Sequence, residues 1–267
     1  MIRAVIHVNH ADHQKSHGAA MKAGMERHGI EVQFARFNEP TPADINVVWG
    51  YRQDRVHATA QRLLVMERGH LQDRMFWTSC GWGGLGGRAT YPKTADGGAR
   101  WRQHFAHLMK PWKSGGECVV VCGQVPGDAA IYNIDFHAWA TRVCGDAGAI
   151  FGRPVVYRPH PLSVRLRDGN WHPPSAEVST RPFAEDLARA MMVVTYNSTA
   201  GVEAVLAGVP VVAMDAGSMA LPVASRSLEG ALCRVDRAAW AHDLAWTGWS
   251  MDEITAGTAW EALQACL

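Results

Sequence analysis

Three short stretches carry side chains suited to moving a charged group. The first is Asn197-Ser198-Thr199, which follows the apolar run Met191 to Tyr196 and precedes a segment whose Val202, Val205 and Leu206 share one helical face. A hydroxyl-rich helix start after a buried strand gathers free N–H groups and the positive end of the dipole, which suits a phosphate. Gly201 allows close backbone approach, and Glu203, one turn in, can take two ribose hydroxyls; equally, Ser198 or Asn197 can be no more than the N-cap and Glu203 a carboxylate complementing the dipole. The second stretch is LLVME, an apolar run ending on Glu67 with Gly69 just beyond: a carboxylate at a strand's carboxyl end is placed for general-base work, or is simply a solvated loop acid. The third is Arg158-Pro159-His160-Pro161, where two prolines stiffen the backbone around an imidazole. With Arg158 beside it, His160 can neutralise a departing phosphate.

These groups need strands to hold them. Strands are expected over Ile2 to Val8, EVQFARF, DINVVWG and LLVME, with helices from His17 to His28 and Arg55 to Leu63. PWKSGGE, 111–117, reads as a linker, and CVVVCG then opens a second α/β series. In it, Gln124 and Asp128 fall in the loop after the first strand, where such folds touch a nucleotide. A helix is expected over Phe136 to Cys144, and PVVYRPHP and MMVVTY are further strands. Two helices, Arg237 to Ala245 and Glu253 to Leu263, close the chain, their tryptophans packing a core. His10, His13 and His17 fit no usual zinc spacing; a polar loop explains them and leaves His10 as a candidate substrate contact.

Net charge is +1 over 267 residues, so no global field points to a polyanion, and no run is apolar enough to span a membrane. The six cysteines show neither zinc spacing nor CxxC, which suits a reduced, cytoplasmic protein. Charge is nevertheless uneven. Residues 74–113 hold seven cations against Asp96 alone, with Trp77, Trp82, Tyr91, Trp101 and Trp112 interleaved. Cations for phosphates and flat rings for bases make a nucleic-acid groove; a basic surface over buried tryptophans is the equal alternative. On the first reading Trp77, Trp82, Arg88 and Arg102 join His10 as acceptor contacts.

Together, the acid-x-Gly turn at Glu67, GQVxxD, RPHP and NSTAGVEAVLAGVPVV resemble the GT-B glycosyltransferases of capsule synthesis, of the Kdo-transferase and polysialyltransferase type. In that family a (D/E)-(D/E)-G turn carries the base, an HP pair binds the cytidylate phosphate, and an S(S/T) helix start holds phosphate. Here arginine stands in the middle of Glu67-Arg68-Gly69. The blocks ERGHLQDRMFWTSCGWGGLGGRA and WAHDLAWTGWSMDEITAGTAWEAL also resemble phage-encoded glycosyltransferase-like proteins. The resemblance implies an α/β GT-B-like fold, two Rossmann-like domains facing across a cleft. Residues 1–113 would bind acceptor, 114–235 the nucleotide-sugar, and 236–267 would return to the first domain. It implies sugar transfer from a nucleotide-sugar co-substrate without any other cofactor. Glu67 and His160 would be catalytic, and Gln124, Asp128, Arg158, His160, Ser198, Thr199, Gly201 and Glu203 would bind donor. With no Asp-x-Asp motif, no catalytic metal is expected. The favoured acceptor is a 5-hydroxymethylpyrimidine in double-stranded DNA, in a host cytoplasm if the chain is phage-encoded. The alternatives are a capsule or lipid-linked glycan acceptor, a nucleotide-sugar epimerase, and a catalytically silent nucleotide- or DNA-binding module.

Overall fold

A computed structural model describes the chain except for residues 1, 10, 38, 40, 52–61, 72, 94, 166–170, 231 and 233. His10 and most of the helix expected from Arg55 to Leu63 therefore lie outside the described residues. The chain divides into two compact units, Met1–Phe105 with Ala241–Leu267, and Ala106–Trp240.

The first unit is built on a six-stranded sheet. Its parallel strands are β1 (Arg3–Val8), β2 (Glu31–Arg36), β3 (Ile45–Trp49) and β4 (Leu63–Arg68), which stand in the order β4-β3-β1-β2. β5 (Thr78–Trp82) adds antiparallel to β4, and a two-residue strand from the chain's end, Gly248–Trp249, adds antiparallel to β5. Gly81 lies inside fully buried β5, where a Cβ would meet Tyr91 Cε1 at 2.7 Å. Period-two alternation puts Ile6, Val47, Met66 and Cys80 on one face. There they pack with Met21 and Met25 of α1 (Asp12–Glu26) and with Trp249, Ile254, Trp260 and Leu263 of the returning tail. Helix α1 begins five residues before the expected His17, and a second, short helix, α2, spans Ala99–His104. Asp12 sits favourably in the first turn of α1, and Asn9 Oδ1 accepts from Ala11 N–H at 2.8 Å to fix the entry. The tail helix expected from Glu253 to Leu263 is two, Met251–Ala256 under a capping box from Ser250 and Thr258–Gln264, broken at Gly257 with φ +88°.

The second unit holds five parallel strands in the order β10-β9-β6-β7-β8. These are β6 (Cys118–Cys122), β7 (Val155–Arg158), β8 (Glu177–Val178), β9 (Ala190–Thr195) and β10 (Val211–Ala213). The strand order reverses between β6 and β9, and a crevice outside the carboxyl ends of those two strands is where such sheets take ligands. Helix α3 (Phe136–Phe151) is capped by Asp135 and runs past Gly145 and Gly148 to stop at Gly152, φ +55°. The expected linker at 111–117 belongs to this unit. Lys110 and Lys113 N–H donate to Leu206 and Gly208 carbonyls, and Lys113 Nζ reaches the carbonyls of Leu187, Ala188 and Ala190. Those bonds move the boundary to Phe105–Ala106.

Candidate functional site

In the second unit the polar side chains gather at the carboxyl ends of β6, β7, β9 and β10. Asn197, two residues past the end of β9, is the hub. Its backbone N–H donates to Gln124 Oε1 (3.1 Å), its Oδ1 accepts from Gln124 Nε2 (2.8 Å), and its Nδ2 donates to Ala130 O (2.9 Å) and Asp215 Oδ1 (2.8 Å). One buried amide thus knits three loops across the point where strand order reverses. Asn197 is therefore not the N-cap, and neither is Ser198. The cap position of α5 (Ala200–Leu206) is Thr199, with no side-chain bond, while Ser198 Oγ accepts from Ala200 N–H at 3.2 Å and Ser198 N–H donates to Thr195 Oγ1 at 2.9 Å. That leaves the Ser198 hydroxyl hydrogen for donation.

His160 sits half-buried after β7 with its ring fixed. Nδ1 accepts from Leu162 N–H at 3.2 Å and the carbonyl accepts from Ser163 N–H at 2.9 Å. Because Nδ1 is an acceptor, the neutral ring carries its proton on Nε2, a donor suited to an anionic oxygen. Glu203 is exposed on the first turn of α5, and its charge helps raise the buried Cys122 thiol, which burial alone chiefly pushes up to about 12.

The other expected donor contacts also bond or pack within this unit. Arg158 is tied by Nη1 to the nearly inaccessible Asp186 at 2.9 Å and to Arg181 O, with its guanidinium 5.1 Å from the Phe183 ring; it locks the end of β7 to α4 (Phe183–Arg189). Gln124 is bonded to Asn197 through both its Oε1 and its Nε2. Gly201 serves packing, since a Cβ there would lie 3.1 Å from Thr195 Cγ2 and 3.3 Å from Ala220. Asp128 is exposed and accepts from Ala130 N–H at 3.2 Å.

In the first unit, Glu67 and Arg68 end β4 and alternate to opposite faces. Arg68 extends beside Trp49, its guanidinium 5.5 Å from the ring, and His13 and His17 meet the same indole edge-on at 5.1 and 4.8 Å. His17 Nδ1 donates to His13 O at 2.6 Å while its buried Nε2 has no partner; burial first, then the charge of Arg68, hold it below the usual histidine range. Strand order in this sheet reverses between β1 and β3, so Trp49 and α1 flank its reversal point. On the other face Glu67 stands opposite Ser79 of β5, and a Cβ at Gly50 would lie 3.1 Å from Glu67 Oε1.

The basic, aromatic stretch 74–113 is shared between the two units. Trp82 is core: its Nε1 donates to Leu263 O at 3.0 Å and its ring meets Trp260 edge-on. Trp77 packs on Phe76, His104 and Phe105, and Trp101 is buried. Arg100 is buried against Glu253 and the rings of Trp77, Trp246 and Trp249. Arg102 is exposed and donates to Gly97 O at 2.7 Å; Arg88 is also exposed. Among the described residues no group of three or more His, Cys, Asp or Glu converges on a possible metal position, and no helix is long and apolar enough to cross a membrane.

No protein-family profile matches the chain, and no curated protein matches it in sequence. Solved structures do. The β-Kdo 2,7 transferase of Thermosulfurimonas dismutans KpsC aligns over 100% of both chains at 14% identity with a TM-score of 0.61. The β-Kdo 2,4 transferase of the same protein aligns over 89% of each at 15% identity with a TM-score of 0.55. The chain has the GT-B-like α/β fold of those Kdo transferases.

Proposed function

We propose that this chain is a glycosyltransferase that moves a sugar from a nucleotide-sugar to an acceptor hydroxyl. The observation that carries the reading is positional. In each unit the chemistry-bearing side chains, Glu67 with Arg68 and Trp49, and Asn197 with His160 and Ser198, stand at the carboxyl ends of parallel strands beside a reversal of strand order. The Glu67 carboxylate takes the proton of the acceptor O–H. The freed oxygen forms a bond to the anomeric carbon as the bond from that carbon to phosphate oxygen breaks. Charge then grows on the departing nucleotide phosphate, where His160 Nε2–H and the Ser198 hydroxyl donate to it. Glu203 suits ribose hydroxyls. A single displacement of this kind inverts the anomeric centre.

For the acceptor, Arg68 against Trp49 with two imidazoles presents a cation beside a flat apolar face, which fits an acidic sugar. A capsule-type or lipid-linked glycan is the reading this favours. The second reading, hydroxymethylpyrimidine DNA, draws on exposed Arg88 and Arg102 but loses two of its five rings, since Trp82 and Trp101 are core. Product mass analysis separates them. The protein would be given CMP-Kdo and a set of UDP- and dTDP-sugars with either a Kdo glycoside or hydroxymethylcytosine DNA. Addition of one sugar to the glycoside is expected. Addition to the DNA alone would reverse the acceptor choice, and intact donors with every acceptor would sink the transferase reading.

A further inference from the structure

Behind Glu67 lies a closed polar triangle. Ser79 Oγ is 3.2 Å from His70 Nε2 and 3.3 Å from Tyr91 OH, and His70 Nε2 is 3.3 Å from that same phenol oxygen. Ser79 and His70 are both nine-tenths or more buried, and His70 Nδ1 has no hydrogen-bond partner. The strand register aims this triangle at Glu67. Ser79 is the direct cross-strand partner of Glu67, so their side chains share one face with Cβ atoms about 5 Å apart. Two positions along β5 on that face stands Gly81, and the Tyr91 ring occupies the space a Cβ would need there, 2.7 Å from Cε1 and 2.9 Å from Cζ. Gly69 lets the chain press on Trp77, where a Cβ would come within 2.7 Å, and so turns His70 back beneath the strand end. Gly50 contributes absence of bulk against Glu67 Oε1.

We propose that Ser79, Tyr91 and His70 are positioning residues that seat the Glu67 carboxylate, with Gly50 shaping the space it occupies. The inference rests on Glu67 being the base of the proposed transfer. Chemistry supports the arrangement. Burial, and secondarily Arg74, push His70 down to about 4, while burial pushes Tyr91 up to about 12, so over the neutral range the triangle is two hydroxyls and an uncharged imidazole. Such a group holds a carboxylate by hydrogen bonding without placing a cation next to it and weakening it as a base. It also accounts for keeping a buried, half-paired histidine, since an orphaned polar atom of this kind is costly unless it serves a purpose.

The test reads Tyr91 directly. Tyrosine labelled with carbon-13 at Cζ gives one signal for each of five tyrosines, and Tyr91→Phe identifies the one that matters. The Tyr91 signal is expected to shift in Glu67→Gln and in Ser79→Ala; Glu67→Ala serves if the glutamine variant does not fold. An unmoved Tyr91 signal on removal of the Glu67 charge would overturn the seating. With a transferable substrate pair in hand, Tyr91→Phe should lower kcat by about 10- to 100-fold at unchanged KM, and should lower nothing further in a Glu67→Gln background. A shifted signal with full transfer by Glu67→Gln would keep the seating and remove the base. Lost transfer with an unmoved signal would do the reverse.

Discussion

Asn197→Asp is the sharpest probe of how the second unit is held together. The substitution keeps shape and exchanges one atom, Nδ2, for oxygen. That atom donates to Ala130 O at 2.9 Å and to Asp215 Oδ1 at 2.8 Å; the two bonds to Gln124 use other atoms and survive. Two lost bonds are worth about 1 kcal/mol each, and leaving Ala130 O facing an acceptor adds roughly another 1 to 3. The new carboxylate would also stand against that of Asp215. At an effective dielectric of about 20, two charges that close repel by about 6 kcal/mol, more than the cost of binding a proton. The pair would therefore share a proton, which restores one hydrogen bond. With one bond still lost, Ala130 O unsatisfied and about 4 kcal/mol needed at pH 7 to place a proton on a carboxylate of ordinary pKa, a loss of about 6 to 8 kcal/mol is expected at pH 7, shrinking by about 3 as pH falls towards 5. Urea unfolding with unchanged m-value measures it. A loss below about 1 kcal/mol, or one independent of pH, would refute the hub role given to Asn197.

Other outcomes follow from the same geometry. Arg100→Ala strips Glu253, the Ala245 and Gly248 carbonyls and the face of Trp249 at 4.5 Å of their common partner, and should cost the first unit about 3 to 5 kcal/mol by thermal unfolding. Burial of Glu253 opposes its ionisation, but bonds from Arg100 and Ser250 outweigh this and hold its carboxyl low, so the pair's contribution is present above pH 4.5 and fades as pH falls through the lowered value. His70 gives a second window: its unfolded form binds a proton below about 6.5 and its folded form only near 4, so stability drops across that interval by up to about 3 kcal/mol, and His70→Phe should flatten the profile. Gly208→Ala combines φ +79° with a Cβ 2.0 Å from Pro111 O and should lower the free energy of unfolding by more than about 1 kcal/mol in urea titrations, whereas Gly145→Ala, with open space around it, should not.

What the sequence revealed were the apolar runs. Val119 to Val121, Met192 to Val194 and Val211 to Ala213 are almost wholly inaccessible, and a strand buried on both faces has few ways to read other than as a strand. The residues just past such runs, Glu67, His160 and Ser198, were legible for the same reason, since a parallel strand delivers its next residues to the ligand edge. Long-range pairing was not. Asn197 resembles a helix cap locally, yet its partners Gln124 and Asp215 lie 73 and 18 residues away. Arg100, Lys113 and Arg158 look like surface charges until Glu253, the carbonyls after Leu187 and Asp186 are brought to them. β5 was hidden by its own glycine, which Ala89 and Tyr91, eight and ten residues on, explain. Ser79 and His70 carried no local signal, because their meaning lies in the register of β4 on β5.

The most direct test of the transfer chemistry is a single-turnover measurement on the wild-type protein and Glu67→Gln side by side, with CMP-Kdo and a Kdo glycoside, reading bound nucleotide and sugar adduct in the same samples. Equal nucleotide binding with adduct formation at least about 100-fold slower in Glu67→Gln is the predicted result. Equal adduct rates would show that Glu67 is not the base. Wild-type protein that neither binds the nucleotide nor forms adduct would contradict sugar transfer from this donor altogether.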